Sequence, residues 1–347
     1  MSNFYSILAK SIGQDFKFVR QILLILRSLK SYPMTVIRVL PILLLFSFAL
    51  QAQQLSLFTQ YRENATVINP AAMEADFLAY GHNLTFGASY RSQWVGIPNG
   101  PKTQTVRVNY INTDWTGVTL TAGAHLINDQ TGPTGFTGFS GKLGGVIGSD
   151  PEFSGLSFAL TAGIAQYRID ADKIKLRDPN DVIGSQDQNQ IYPDVGLGIY
   201  FYSSTADGDY FYAGASVPQV FGLNLMFQDE EGNFDIQRIQ HFYGQLGFYK
   251  FLNDESFLEP SMWLKYVPGA PINADFNLRY QLPSALWIGA GGSTAKTIHL
   301  ETGVTLGENA GFDNTIRFGY GFDYSFTTGG PYLGSTHEIN LTFAFDN

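Results

Sequence analysis

Whatever chemistry this chain performs is done without sulfur nucleophiles, because its 347 residues include no cysteine. Thiol catalysis, Cys-ligated zinc, iron–sulfur clusters and disulfides are excluded, and so is a lipid-modified cysteine behind an export signal. The five histidines are His82, His125, His241, His299 and His337, and none forms a metal-ligand pair at helical spacing. His337 and Glu338 are adjacent, but neighbours on a strand point to opposite faces and cannot share a site. Asp170, Asp172, Asp178, Asp181 and Asp187, with Asp194 just beyond, supply oxygen ligands at irregular spacing. They lack the EF-hand pattern, so solvated loop acids are the first reading and calcium the alternative. Arg91, Arg107, Arg279 and Arg317 fall in alternating segments beside Asp275, Asp323, Glu301 and Glu338. These charges either satisfy one another in a closed interior or line a pore. No catalytic, metal-binding or cofactor-binding residue is assigned.

The elements that must carry these residues have a period of two. Ala274, Phe276, Leu278 and Tyr280 alternate with Asp275, Asn277 and Arg279; Ile339, Leu341, Phe343 and Phe345 alternate with Glu338, Asn340, Thr342 and Ala344. Near Leu84, the residues Phe86, Ala88, Tyr90 and Trp94 are expected on one face. The predicted strands are 84–94, 102–111, 116–127, 137–146, 156–168, 192–203, 209–217, 241–251, 257–266, 272–281, 285–293, 297–306, 313–324 and 336–346. That gives 14; merging around the Gly-rich 137–146 would give 12. Segments of about 9–12 residues match tilted strands crossing the hydrocarbon core. An open sheet would leave unpaired edges in lipid, so the expected fold is all-β, a closed antiparallel transmembrane β-barrel. Long connections are expected at 128–136, 169–191, 218–240 and 325–335, alternating with tight turns such as Asp207-Gly208. Trp94, Trp115, Trp263 and Trp287 are candidates for interfacial aromatic girdles or for ordinary packing.

Composition agrees. Charged residues are 15% of the chain, against roughly 25% in soluble domains, while Phe (28) and Tyr (19) are abundant. Residues 34–52 have the basic, apolar, small-residue order of a signal peptide around Val39–Leu50. Met34 makes a better start than Met1, which leaves residues 1–33 as a gene-model artefact or an extended basic leader. Residues 53–83 contain no clean strand and read as a periplasmic or plug segment before the barrel, 84–347. The first 52 residues hold six Lys and Arg and one acid, leaving 15 basic and 29 acidic residues beyond, a net charge of −14. Such a mature chain has no electrostatic reason to bind nucleic acid.

Three segments resemble the PorP/SprF family, outer-membrane proteins of Bacteroidota associated with type IX secretion and gliding motility. The first is Phe58-Thr59-Gln60-Tyr61 with Asn64 and Ile68-Asn69-Pro70-Ala71. The second is Tyr90-Arg91-Ser92-Gln93-Trp94-Val95-Gly96 with Gly100-Pro101-Lys102-Thr103-Gln104-Thr105. The third is Gly319-Tyr320, Asp323-Tyr324-Ser325 and Thr336-His337-Glu338-Ile339. The family usually shows Ser before His-Glu; here Thr336 stands there and Ser335 one place earlier. The resemblance implies a non-enzymatic outer-membrane protein without cofactors. Its implied partners are the type IX secretion machinery and the C-terminal domain of a secreted cargo or adhesin, beside outer-membrane lipid. On those motifs the candidate partner or structural residues are Tyr61, Asn69, Pro70, Arg91, Gln93, Trp94, Gly96, Pro101, Thr103, Gln104, His337 and Glu338. A passive diffusion porin and a structural barrel bracing an envelope complex remain as alternatives.

Overall fold

The computed structural model describes residues 58–112, 119–174, 187–221, 224–229, 232–237, 239–253, 256–307, 310–327 and 329–346. The leader, the signal segment, Trp115, Asp178 and Asp181 lie outside the described residues. Strands β1 (Leu84–Ser92), β2 (Lys102–Asn112), β3 (Thr119–Thr131), β4 (Thr134–Asp150), β5 (Ser154–Ile169), β6 (Gln188–Ser204) and β7 (Tyr210–Val217) come first. A separate hairpin follows, β8 (Asn224–Asp229) and β9 (Gly232–Gln237). The wall then resumes with β10 (Phe242–Asn253), β11 (Ser256–Tyr266), β12 (Asn273–Gln281), β13 (Leu286–Ser293), β14 (Thr297–Leu306), β15 (Thr315–Ser325) and β16 (Thr336–Phe345). All but the β8–β9 hairpin form one closed barrel of 14 strands. The seam pairs β1 with β16 antiparallel, from Leu84 opposite Phe345 to Ser92 opposite His337. Among the described residues no helix is long and apolar enough to cross a membrane.

The wall is inside-out relative to a soluble protein. On β16, Ile339, Leu341 and Phe343 are exposed on the outer face, while Glu338, Asn340, Thr342 and Ala344 are each no more than 1% exposed inside. Only lipid makes such a surface favourable. Longer connections gather at the mouth reached by the ends of β1 and β15, and shorter turns at the mouth where β1 begins and β16 ends. By that asymmetry the first is the extracellular mouth and the second the periplasmic one.

Several expectations need correction. The 128–136 stretch is no long loop: β3 and β4 run to a two-residue turn at Gly132 and Pro133, with Gly132 in the left-handed region at φ 58°. β4, β5 and β6 reach 16–17 residues, longer than a crossing needs, so their ends extend past the lipid. There both faces meet water and the apolar pattern lapses while the ladder continues. The 218–240 connection carries the β8–β9 hairpin. Trp94 lies beyond β1, in the left-handed region at φ 55°, and so shares no strand face with Phe86 and Tyr90. Of the two alternatives for the tryptophans, Trp263 and Trp287 take packing, buried in the lumen.

Before β1 come two short helices, α1 (Ala65–Ile68) and α2 (Ala75–Tyr80). The segment containing them touches β1, β2, β6, β7, β12, β15 and β16, strands all around the wall. A segment that touches the wall on every side lies in the lumen. Thr59 Oγ1 donates to Asp323, near the extracellular end of β15, at 2.8 Å. His82 Nε2 lies 2.8 Å from Thr315 Oγ1, at the periplasmic end of the same strand. The segment therefore runs the length of the lumen, from the extracellular mouth down to the start of β1.

Candidate functional site

Polar side chains on the inner face of the strands require partners, since a buried unpaired charge is costly. The lumenal segment supplies them. Glu63 accepts from Arg279 Nη1 of β12 at 2.8 Å and from Arg317 of β15 at 3.0 Å (Nε) and 2.8 Å (Nη2). Arg317 also grips both carboxylate oxygens of Asp76 in α2, through Nη2 at 2.9 Å and through Nη1. Glu74 accepts from Arg107 Nε of β2 at 3.3 Å and from Asn109 Nδ2 at 2.5 Å. Arg62 reaches across to Glu259 of β11 at 2.7 Å. Glu338 of β16 accepts the backbone N–H groups of Thr59 at 2.6 Å and Gln60 at 3.2 Å. Asn64 Oδ1 takes hydroxyls from Ser89 and Thr105, both at 3.1 Å. Wall and segment are thus mutually dependent.

Arg91, Arg107, Arg279 and Arg317 do face the interior. Arg91 pairs with Asp323 at 2.8 Å and Arg279 with Glu301 at 3.0 Å. The acids Glu63, Glu74 and Asp76 were missed as their partners. The available signal was three carboxylates in a short segment otherwise rich in buried apolar residues. His299 sits between Asp323 at 2.9 Å and Asp275 at 3.2 Å, and its ring nitrogens are both engaged there. Among the described residues no group of His, Asp or Glu is arranged to hold a metal. In the outer loop after β5, Asp170 is bonded to Lys173 at 2.6 Å; that bond, against slight desolvation, holds its carboxyl below the usual range.

The motif residues fall into three groups. Tyr61, Arg91, Gln93 and Trp94 line a vestibule of about 210 Å³ at the extracellular mouth. Tyr61 stacks on Trp263 at 5.3 Å and accepts from Lys265 Nζ at 2.5 Å. Glu338 lies 3.7 Å from Arg91 Nε, and Pro101 accepts from Gln93 N at 2.8 Å. Gly96 joins this rim: its N–H donates to Leu333 O at 3.1 Å, and Val95 N–H to Ser335 O at 3.0 Å. These bonds tie the β1–β2 loop to the β15–β16 loop, which carries α3 (Gly330–Leu333). Asn69 and Pro70 lie deeper, against β6. Asn69 Nδ2 donates to Ile199 O at 3.2 Å, and its Oδ1 accepts Ala71 N–H at 3.0 Å, a turn that redirects the chain between the helices. Thr103 donates to Asp129 at 2.6 Å. Gln104 is exposed, and His337 sits between Tyr320 at 2.6 Å and Ser335 at 2.9 Å, on the face opposite Glu338; these two stand apart from the vestibule.

Solved structures similar in fold include the CymD monoaromatic hydrocarbon channel, at 9% identity and TM-score 0.49, covering 82% of this chain and 99% of that one. A Pseudomonas aeruginosa FadL homologue matches at 10% identity and TM-score 0.48, over 81% and 94% of the two chains. The translocator domain of autotransporter NalP from Neisseria meningitidis matches at 11% and 0.42, over 79% and 92%. No curated protein matches the chain. The sequence model described as type IX secretion system membrane protein PorP/SprF matches residues 50–343, most of the chain and nearly the whole barrel, and the chain belongs to that family of outer-membrane barrels.

Proposed function

We propose that this outer-membrane component of type IX secretion is non-enzymatic and supports export or cell-surface anchoring of a cognate secreted protein, an adhesin, by engaging that protein's C-terminal domain. The observation that carries the reading is the lumenal segment. It runs from mouth to mouth and is held by ion pairs to β2, β11, β12 and β15 and hydrogen bonds to β1, β6, β7 and β16, so the outward-facing rim, rather than a conduit, is what the barrel offers. That rim is unusual in composition. Residues 93–101 and 326–335 contain no Lys, Arg, Asp or Glu. They present Val95, Ile97, Phe326 and Tyr332 to the outside, the last 86% exposed. Backbone bonds between the two loops fix this surface in place, which reduces the ordering cost of binding.

The segment also weighs against a passive diffusion pore. Pull-down from native outer membranes with mass spectrometry of the co-purifying proteins tests the reading. Recovery of a large type IX cargo, lost when residues 94–97 are replaced by a Gly-Ser stretch, is the expected result. Recovery of the barrel alone, with clear ion conductance in planar bilayers, overturns it.

A further inference from the structure

The periplasmic mouth carries a feature that the extracellular reading does not use. Below α2 lies a cavity of about 560 Å³. Phe77 and Leu78 of the lumenal segment close it from above, and Phe153, Tyr210 and Phe251 form its sides. Tyr210 OH donates to Glu152 O at 3.0 Å, and Tyr202 OH donates to Pro151 O, so the β4–β5 turn is fixed at the cavity's edge. Phe153 is nevertheless 51% exposed, an aromatic facing water beside a preformed cavity.

The surrounding turns have one sign of charge. Asp150, Glu152, Asp207, Asp209, Asp313 and Asp346 are described there, and the described turn residues include no Lys or Arg; Lys250 stands beside them on β10. Lys250 is committed to Asp209 at 2.6 Å, and Asp346 meets only His82, at 3.6 Å. The extracellular loops differ: among the described residues there, Lys173 and Lys296 are mixed with Asp170 and Asp187. A cavity with aromatic walls, with Glu152 and Asp346 in its lining and further carboxylates on the turns beside it, favours apolar side chains flanked by cations and disfavours anionic ligands. Its volume exceeds that of one side chain, so it takes neighbouring residues of one segment.

We propose that the periplasmic mouth docks a cationic segment of a periplasmic protein, whose apolar side chains fill the cavity below α2 while its Lys or Arg side chains meet the acidic turns. The inference is independent of the extracellular rim and of any cargo bound there.

The test uses the mature barrel in zwitterionic lipid nanodiscs, with empty discs subtracted, and three fluorescent peptides. These are acetyl-Lys-Phe-Lys-Leu-Lys-amide, the same peptide with Ser for Phe and Leu, and the same peptide with Glu for Lys. The first is expected to bind at least about tenfold more tightly than either of the others at low ionic strength, and to weaken as salt is added. Asp150→Asn/Glu152→Gln/Asp207→Asn removes its advantage over the Glu peptide. Ala79→Trp, which fills the cavity without changing charge, removes its advantage over the Ser peptide. Phe153→Ser, at a half-exposed position, gives the same readout if the Trp variant does not fold. Equal binding of the Lys-Phe and Lys-Ser peptides to the unaltered barrel overturns the proposal. So does undiminished discrimination in the charge-neutralised or cavity variants.

Discussion

Arg317→Met removes the guanidinium on which the lower half of the lumen depends. Arg317 is 2% exposed and contacts both Glu63 and Asp76. Without it Glu63 keeps Arg279 at 2.8 Å and Arg62 at 3.5 Å, while Asp76, fully buried, keeps no cation among the described residues. Four carboxylates (Glu63, Asp76, Glu259, Glu301) now face three guanidiniums (Arg62, Arg279, Arg317); the variant leaves four facing two. Stranding one buried carboxylate costs about 3–5 kcal/mol. Adding Asp76→Asn removes the stranded charge, so the double variant should recover about 2 kcal/mol or more, a coupling that independent sites do not show. Urea unfolding in micelles, followed by the fluorescence of the lumenal Trp263 and Trp287 and by gel mobility, measures both. A wild-type midpoint for Arg317→Met, or a double variant whose loss is the sum of the two singles, would refute the reasoning.

Other expectations concern the seal, the rim and the lipid face. Asn64→Cys/Ser89→Cys, in a chain with no other thiol, should lock the segment to β1 on oxidation and leave both ion impermeability and cargo retention unchanged; loss of retention on oxidation would show that the segment must leave. At Gly334, φ is +84° and an added Cβ would lie 2.6 Å from Gly96 N. Gly334→Val should therefore separate the two rim loops at about 1–3 kcal/mol of local strain and reduce surface-held cargo in immunolabelling, with barrel mobility unaltered. Leu341→Arg places a charge on the outer face midway along β16 and should destabilise the barrel in bilayers by about 2–4 kcal/mol; a neutral outcome would mean that this face does not meet lipid.

The strands were legible because lipid outside and polar groups inside impose a strict period of two, as on β12 and β16. Where strands leave the lipid the constraint ends, and so did the reading: Asn128 to Thr134 looks like a loop yet continues the ladder of β3 and β4. The inward Trp263 and Trp287 were not assignable, since an indole suits either an interface or a lumen with cationic neighbours; Arg279 lies 3.9 Å over the Trp287 ring. The four inward arginines were visible from alternation, but Glu63, Glu74 and Asp76 lie outside any strand and carry no periodic signal. Their pairing is set by three-dimensional closure over sequence separations such as the 254 residues between Glu63 and Arg317.

That separation bears on how the molecule can be assembled. Thr59 and Gln60, close to the first described residue, give their N–H groups to a carboxylate on the last strand, and that strand also zips the seam with β1. A barrel closed around an empty lumen would leave Arg107 and Arg317 without the carboxylates of Glu74, Glu63 and Asp76. Seating the segment and closing the seam are therefore coupled, because both need the C-terminal strand. Such long-range closure is slow, and a chain truncated before β16 loses the plug's grip and the wall's closure together, leaving an open sheet edge for the cell's quality control to find.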